Sequence, residues 1–171
     1  MAYSNGDTLR SKLVGSWELT EFCTYLPNDK TNKTYPMGGN VKGIIMYNHD
    51  GYFGAQLQVP GQKSFGEDKG GGSESDWAQM GRNYVAYTGQ FYLNEQGDEE
   101  GRPVVVHHAE CAMLPYFLGT TQRRLVNIFD KDDGRYLVLS VDEPMNLVSD
   151  QAQMAELTWR RLPDNQASSP P

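Results

Sequence analysis

The sequence is poor in the residues that build covalent or metal-held scaffolds. It has only two cysteines, Cys23 and Cys111, and three histidines. Two cysteines permit at most one disulfide. The opening residues, Met1 to Arg10, lack the apolar core of a secretory signal, so both side chains are expected to be thiols of a cytoplasmic protein. No apolar run reaches the length a membrane-spanning helix needs. Basic residues are also outnumbered, 15 Lys and Arg against 22 Asp and Glu, for a net charge of −7. That balance speaks against a nucleic acid or an anionic membrane as partner. Gly70-Gly71-Gly72 follows no strand pattern and precedes no Lys-Ser or Lys-Thr pair, so no phosphate-binding loop is present, and there is no nucleophile elbow.

What the sequence does contain is strands. Its 171 residues fit one domain with a real core, and 18 Gly and nine Pro favour turns over long helices. Alternating or β-rich segments occur at Leu13–Tyr25, Gly43–Tyr47, Gly51–Val59, Asn83–Leu93, Pro103–Met113, Gln122–Asp130, Arg135–Val141 and Ala155–Leu162. Asp50-Gly51 and Asp133-Gly134 mark hairpin turns between apolar runs. Asn28–Asn40 reads as a polar loop, and Pro60–Ser75 as a mobile Gly-rich loop. Asp76–Arg82 reads as a short helix capped by Ser75 or Asp76, and Glu143–Gln153 as irregular or briefly helical. About eight strands in a meander predict an all-β fold, a single antiparallel barrel closed to avoid open edges. Residues 1–12 form a lead-in, 13–162 the barrel and 163–171 a flexible tail.

Gly15-Ser16-Trp17 has the form of the GxW signature of lipocalins. Arg160 and Arg161 lie on the last strand, where a lipocalin carries an arginine over that tryptophan. A longer string, including Asp50-Gly51-Tyr52, Tyr84–Gly89, Val106-His107-His108, Gly119–Arg124 and Leu157–Arg161, resembles the lipocalin-like domain family of bacteria and fungi. The resemblance spans roughly Leu13 to Leu162. It departs in the Gly-rich loop and in an acidic insert near Asp98, both of which are expected to shape or cover the mouth. It implies a small barrel with an internal cavity and an association with natural-product biosynthesis, where some barrels of this fold act as cyclases or isomerases.

Strand alternation predicts the inward face. It comprises Trp17, Leu19, Glu21 and Cys23; Ile45 and Tyr47; Phe53, Ala55 and Leu57; Val85, Tyr87, Gly89 and Phe91; and Val105, His107, Ala109 and Cys111. The later strands add Arg124, Val126 and Ile128; Leu137 and Leu139; and Leu157, Trp159 and Arg161. A bulge would reverse the phase of any strand that carries one. Trp17, Tyr47, Phe53, Leu57, Phe91, Cys111 and Trp159 are the expected ligand contacts.

His107, Glu21, Arg124 and Tyr87 are the candidate catalytic groups. His107 reads as an acid/base group, because imidazole titrates near neutrality, or as a core histidine bonded across the barrel. Inward, Arg124 needs an anion, a carbonyl or Glu21 as partner. Glu21 reads either as a buried acid with a raised pKa or as a rim residue. Tyr87 offers a hydroxyl to a ligand or is ordinary wall. His107 and His108 point to opposite faces and match no metal-ligand spacing, so neither metal nor cofactor is expected.

Two functions follow. One is a cofactor-free enzyme, a cyclase, isomerase or dehydratase, acting on an apolar polyketide, terpenoid or alkaloid intermediate. The other is a non-catalytic carrier or sensor of a hydrophobic small molecule. A monomer or homodimer is expected.

Overall fold

A computed structural model describes residues 8–65, 71–146 and 151–170. The chain opens with helix α1 (Leu9–Leu13) and continues into β1 (Gly15–Leu26), β2 (Asp29–Thr34), β3 (Lys42–Tyr47) and β4 (Tyr52–Gln58). Helix α2 (Glu74–Arg82) precedes β5 (Tyr84–Asn94), β6 (Val104–Ala112), β7 (Thr121–Lys131), β8 (Gly134–Ser140) and β9 (Met154–Arg161). Each strand from β3 to β9 pairs antiparallel with the next, while β1 pairs with both β3 and β9. Eight strands thus close into a barrel, and β2 adds to β1 as an extra strand. Closure leaves no long free edge, which is what an all-antiparallel sheet of this length requires.

Three local expectations are corrected. Asn28–Asn40 is not all loop, because β2 forms there and pairs Thr34 with Thr24. Its residues are polar and largely exposed, so a strand held by backbone pairing and by Lys30 and Lys33 leaves no hydrophobic signature. Helix α2 begins earlier than expected, with Ser73 as N-cap, because Asp76 is the third helical residue of a capping box rather than the cap. The expected lead-in contains α1, capped by Thr8. The Gly-rich loop lies partly outside the described residues (66–70), as does the centre of Glu143–Gln153 (147–150). Met145 and Gln153 bridge across that second segment. Residues 163–170 carry no helix or strand.

One end of the barrel is plugged. Trp17 is 0% exposed, and its Nε1 donates to the Leu13 carbonyl at 2.8 Å, tying α1 to the barrel floor. The Arg161 guanidinium lies 5.1 Å from the Trp17 ring centroid. Gly15 is the residue that makes room: its φ is +128°, and a Cβ there would stand 2.1 Å from Arg161 Nη2. The GxW signature therefore has a physical origin in this chain, since the arginine over the tryptophan occupies the space of any side chain two residues upstream.

Two bulges set which residues face inward. On β1 the pairing with β9 steps from Leu19–Trp159 to Glu21–Thr158, leaving Thr20 extra. Between β5 and β6 it steps from Thr88–Cys111 to Gly89–Ala109, leaving Glu110 extra. Each extra residue reverses the alternation beyond it. At the second bulge a Cβ on Gly89 would meet the His108 carbonyl oxygen at 1.9 Å. Gly89→Ala is therefore expected to lower stability by about 1–3 kcal/mol, the usual cost of overpacking, measured by urea denaturation. An unchanged midpoint would mean that the bulge relaxes freely.

Candidate functional site

The strand directions place one set of connections, β2–β3, β4–β5, β6–β7 and β8–β9, at the end opposite the Trp17 plug. A cavity of about 520 Å³ opens there. Pro36 and Met37, then Leu114, Tyr116 and Phe117, then Met145 and Asn146 form its mouth. The acidic segment near Asp98 joins β5 to β6 at the plugged end, so it does not shape the mouth as expected. Phe22, Ile45, Leu57, Val85, Leu139, Leu157 and Trp159 supply apolar wall. The volume falls within the roughly 300–1,000 Å³ typical of small-molecule sites.

Four polar side chains interrupt this wall: Tyr87, His107, Gln122 and Arg124. His107 is 0% exposed at mid-depth on β6. Its Nε2 lies 2.8 Å from the Tyr47 hydroxyl and its Nδ1 lies 3.4 Å from that of Tyr87. Phe53 stacks on the imidazole with ring centroids 4.3 Å apart. Burial, and secondarily the Arg124 charge, push the His107 pKa down to about 3. The ring is therefore neutral at physiological pH. Only one of its nitrogens carries a proton, so one tyrosine donates to the ring and the other accepts from it. Burial pushes the hydroxyl pKa values of Tyr47 and Tyr87 up, Tyr47 the more strongly, and Arg124 partly opposes both shifts. The result is a neutral chain, Tyr47–His107–Tyr87, running from the barrel floor to the cavity.

Of the predicted site residues, Leu57, Tyr87, His107, Arg124 and Trp159 meet in the cavity wall. Tyr47, Phe53 and Phe91 are buried beneath it, where the Tyr47 and Phe91 rings meet edge to face at 5.0 Å. Trp17 belongs to the plug and does not line the cavity.

Glu21 and Cys111 are corrections. The Thr20 bulge turns Phe22 into the cavity and Glu21 out of it, where its carboxylate pairs with Lys33 at 2.8 Å. Cys23 turns with Glu21. It is buried there, and desolvation together with the Glu21 charge raises its thiol pKa to about 11. The Glu110 bulge turns Cys111 to the exterior, where it is an exposed free thiol. Sequence reasoning also missed Phe22, whose inward position depends on the bulge, and Gln122. Gln122 shares the alternation of Arg124 but is the second residue of β7, outside the apolar pattern. The mouth residues Met37 and Phe117 come from connecting segments, which carry no periodicity.

Among the described residues no three potential metal ligands of the His, Cys, Asp and Glu type cluster together, and no helix is long and apolar enough to cross a membrane.

An eight-stranded antiparallel barrel, plugged at a GxW end and open at the other onto a largely apolar cavity, defines a lipocalin-like small-molecule-binding protein. The family model described as a lipocalin-like domain matches residues 14–162, and the chain belongs to that family. It is 34% identical, over 111 residues, to the 4'-hydroxy-3'-methoxypropiophenone carrier protein ppsC of Aspergillus oryzae; the match covers 64% of this chain and 96% of the relative.

Proposed function

We propose that this protein is a carrier, which takes one apolar, oxygen-bearing intermediate of natural-product metabolism into its barrel and releases it unchanged. The state of His107 carries this reading. A histidine serving as general base must become an imidazolium. Here burial and Arg124 both oppose that form and hold the pKa at about 3. Tyrosine hydroxyls already stand at both ring nitrogens. A neutral, partnered histidine suits a wall that presents fixed hydrogen-bonding groups to a ligand oxygen. A relative named as the carrier of an aryl ketone supports the same reading. Such a ketone has a flat aromatic body with a phenol at one end and a carbonyl at the other, oxygens that the polar side chains of this cavity would meet.

One observation favours a second reading, a cofactor-free isomerase, cyclase or dehydratase. The Tyr87 hydroxyl lines the cavity with the neutral His107 ring behind it, a polar group placed to stabilise charge developing on a ligand oxygen with no net transfer of a proton to or from the protein.

Titration with 4'-hydroxy-3'-methoxypropiophenone, followed by tryptophan fluorescence and native mass spectrometry, tests the proposal. The expected result is a saturable one-to-one complex that perturbs the wall tryptophan, Trp159, and from which the ligand is recovered with unchanged structure. Recovery of an isomer, or of a species lighter by one water, would replace the carrier with the enzyme. In that case His107→Ala should abolish turnover while leaving binding largely intact.

A further inference from the structure

The polar end of the cavity holds a cation that no carboxylate among the described residues neutralises. Several other arginines meet acids: Arg102 pairs with Asp98, Arg135 with Asp130 and Arg160 with Glu18, while Arg161 lies over the Trp17 ring. The contrast is sharpest between chain neighbours on β7. Arg123 faces out and pairs with Asp142. Arg124, half-buried on the inner face, pairs with no carboxylate among the described residues, and its Nη1 donates only to the Arg123 carbonyl at 2.6 Å. Glu21, the acid that strand alternation would have placed opposite it, is turned outside by the Thr20 bulge and engaged with Lys33. The polar groups that share its end of the cavity, Gln122, Tyr87 and His107, are uncharged at neutral pH.

A guanidinium has five N–H donors and cannot give up its charge. One left without a counter-ion in a partly dry, apolar-walled cavity is a site for an anion, most effectively a planar oxyanion that accepts two parallel hydrogen bonds. We propose that Arg124 is the anion receptor of this cavity, and that its preferred ligands carry a carboxylate or a phenolate at one end of an apolar body. This inference rests on the cavity being the ligand site. It goes further by fixing the charge of the ligand and which end enters facing β7. Gln122 and the Tyr87 hydroxyl would supply the remaining hydrogen bonds to the same oxygens.

The test compares two probes of the same shape, 2-naphthoate and 2-naphthamide, by calorimetric titration at neutral pH. Hydrogen bonds to charged groups are worth about 1.5–3 kcal/mol each, so the wild-type protein should bind the carboxylate about 10- to 100-fold more tightly than the amide. Arg124→Met should bring the two affinities to within about twofold by removing that charged interaction, whereas Arg123→Met should leave the preference intact. Arg124→Lys, which keeps the charge and loses the fork, provides a second variant if the methionine protein is unstable. It should retain part of the preference. Equal affinity for the two probes in the wild type, or a carboxylate preference that survives Arg124→Met, overturns the assignment while leaving the cavity as a binding site. Failure of both probes to bind overturns the cavity reading as well.

Discussion

Replacing Trp17 by alanine should lower the unfolding free energy by about 3–5 kcal/mol, the range for deleting a buried aromatic side chain. The residue is 0% exposed and joins three parts of the plugged end. Its ring packs in the core with Leu13, its indole N–H holds the Leu13 carbonyl, and its face receives Arg161. Alanine leaves a cavity, an unsatisfied carbonyl and a guanidinium without its aromatic partner. Urea denaturation followed by circular dichroism measures the loss without relying on the tryptophan that was removed. A loss below about 1 kcal/mol would show that the end relaxes around the hole, contrary to the usual cavity cost. The same variant separates structure from ligand contact. Because Trp17 does not line the cavity, the folded fraction should bind small molecules with nearly wild-type affinity.

Acid should destabilise this protein well above the range where carboxylates titrate, and His107 is the reason. Its pKa is about 3 in the folded state, against about 6.5 in an unfolded chain. Between these values the unfolded state binds a proton that the folded state does not, so stability rises with pH. The contribution is fully present above pH 6.5 and falls away as pH drops toward 3. Taking 1.36 kcal/mol per pH unit, the loss between pH 8 and pH 5 is on the order of 2 kcal/mol. Over that interval most carboxylates stay ionised in both states, which isolates the histidine. The check is urea denaturation of wild type and His107→Gln at pH 8 and pH 5. Glutamine cannot take up the proton, so the wild-type protein should lose about 2 kcal/mol more than the variant over this interval. Equal losses in the two proteins would show that His107 is protonated in the folded state too. The carrier proposal would then lose its main support, since the ring would be free to act as a base.

The β-barrel was legible in the sequence, because the period-two alternation of Ile45, Tyr47, Phe53, Ala55, Leu57, Leu137, Leu139 and Trp159 records burial directly. The hairpins were legible too: Asp50-Gly51 and Asp133-Gly134 are turn chemistry, and turn chemistry is local. So was the inward placement of His107, Tyr87 and Arg124, on strands whose phase no bulge disturbs before those positions.

The rest depended on contacts between residues far apart in the chain. Whether Glu21 or Phe22 enters the cavity, and whether Cys111 does, turns on one extra residue in each of two strands. That residue is fixed by pairing with β9 and with β5, not by the bulged segment itself. β2 exists because a neighbouring backbone needs partners, a demand that polar side chains do not reveal. Which end opens follows from where the α1 and Trp17 plug is seated. The charge states that give the site its character, a neutral His107 and an Arg124 with no acid paired to it among the described residues, arise from burial and distance in three dimensions, neither of which residue order specifies.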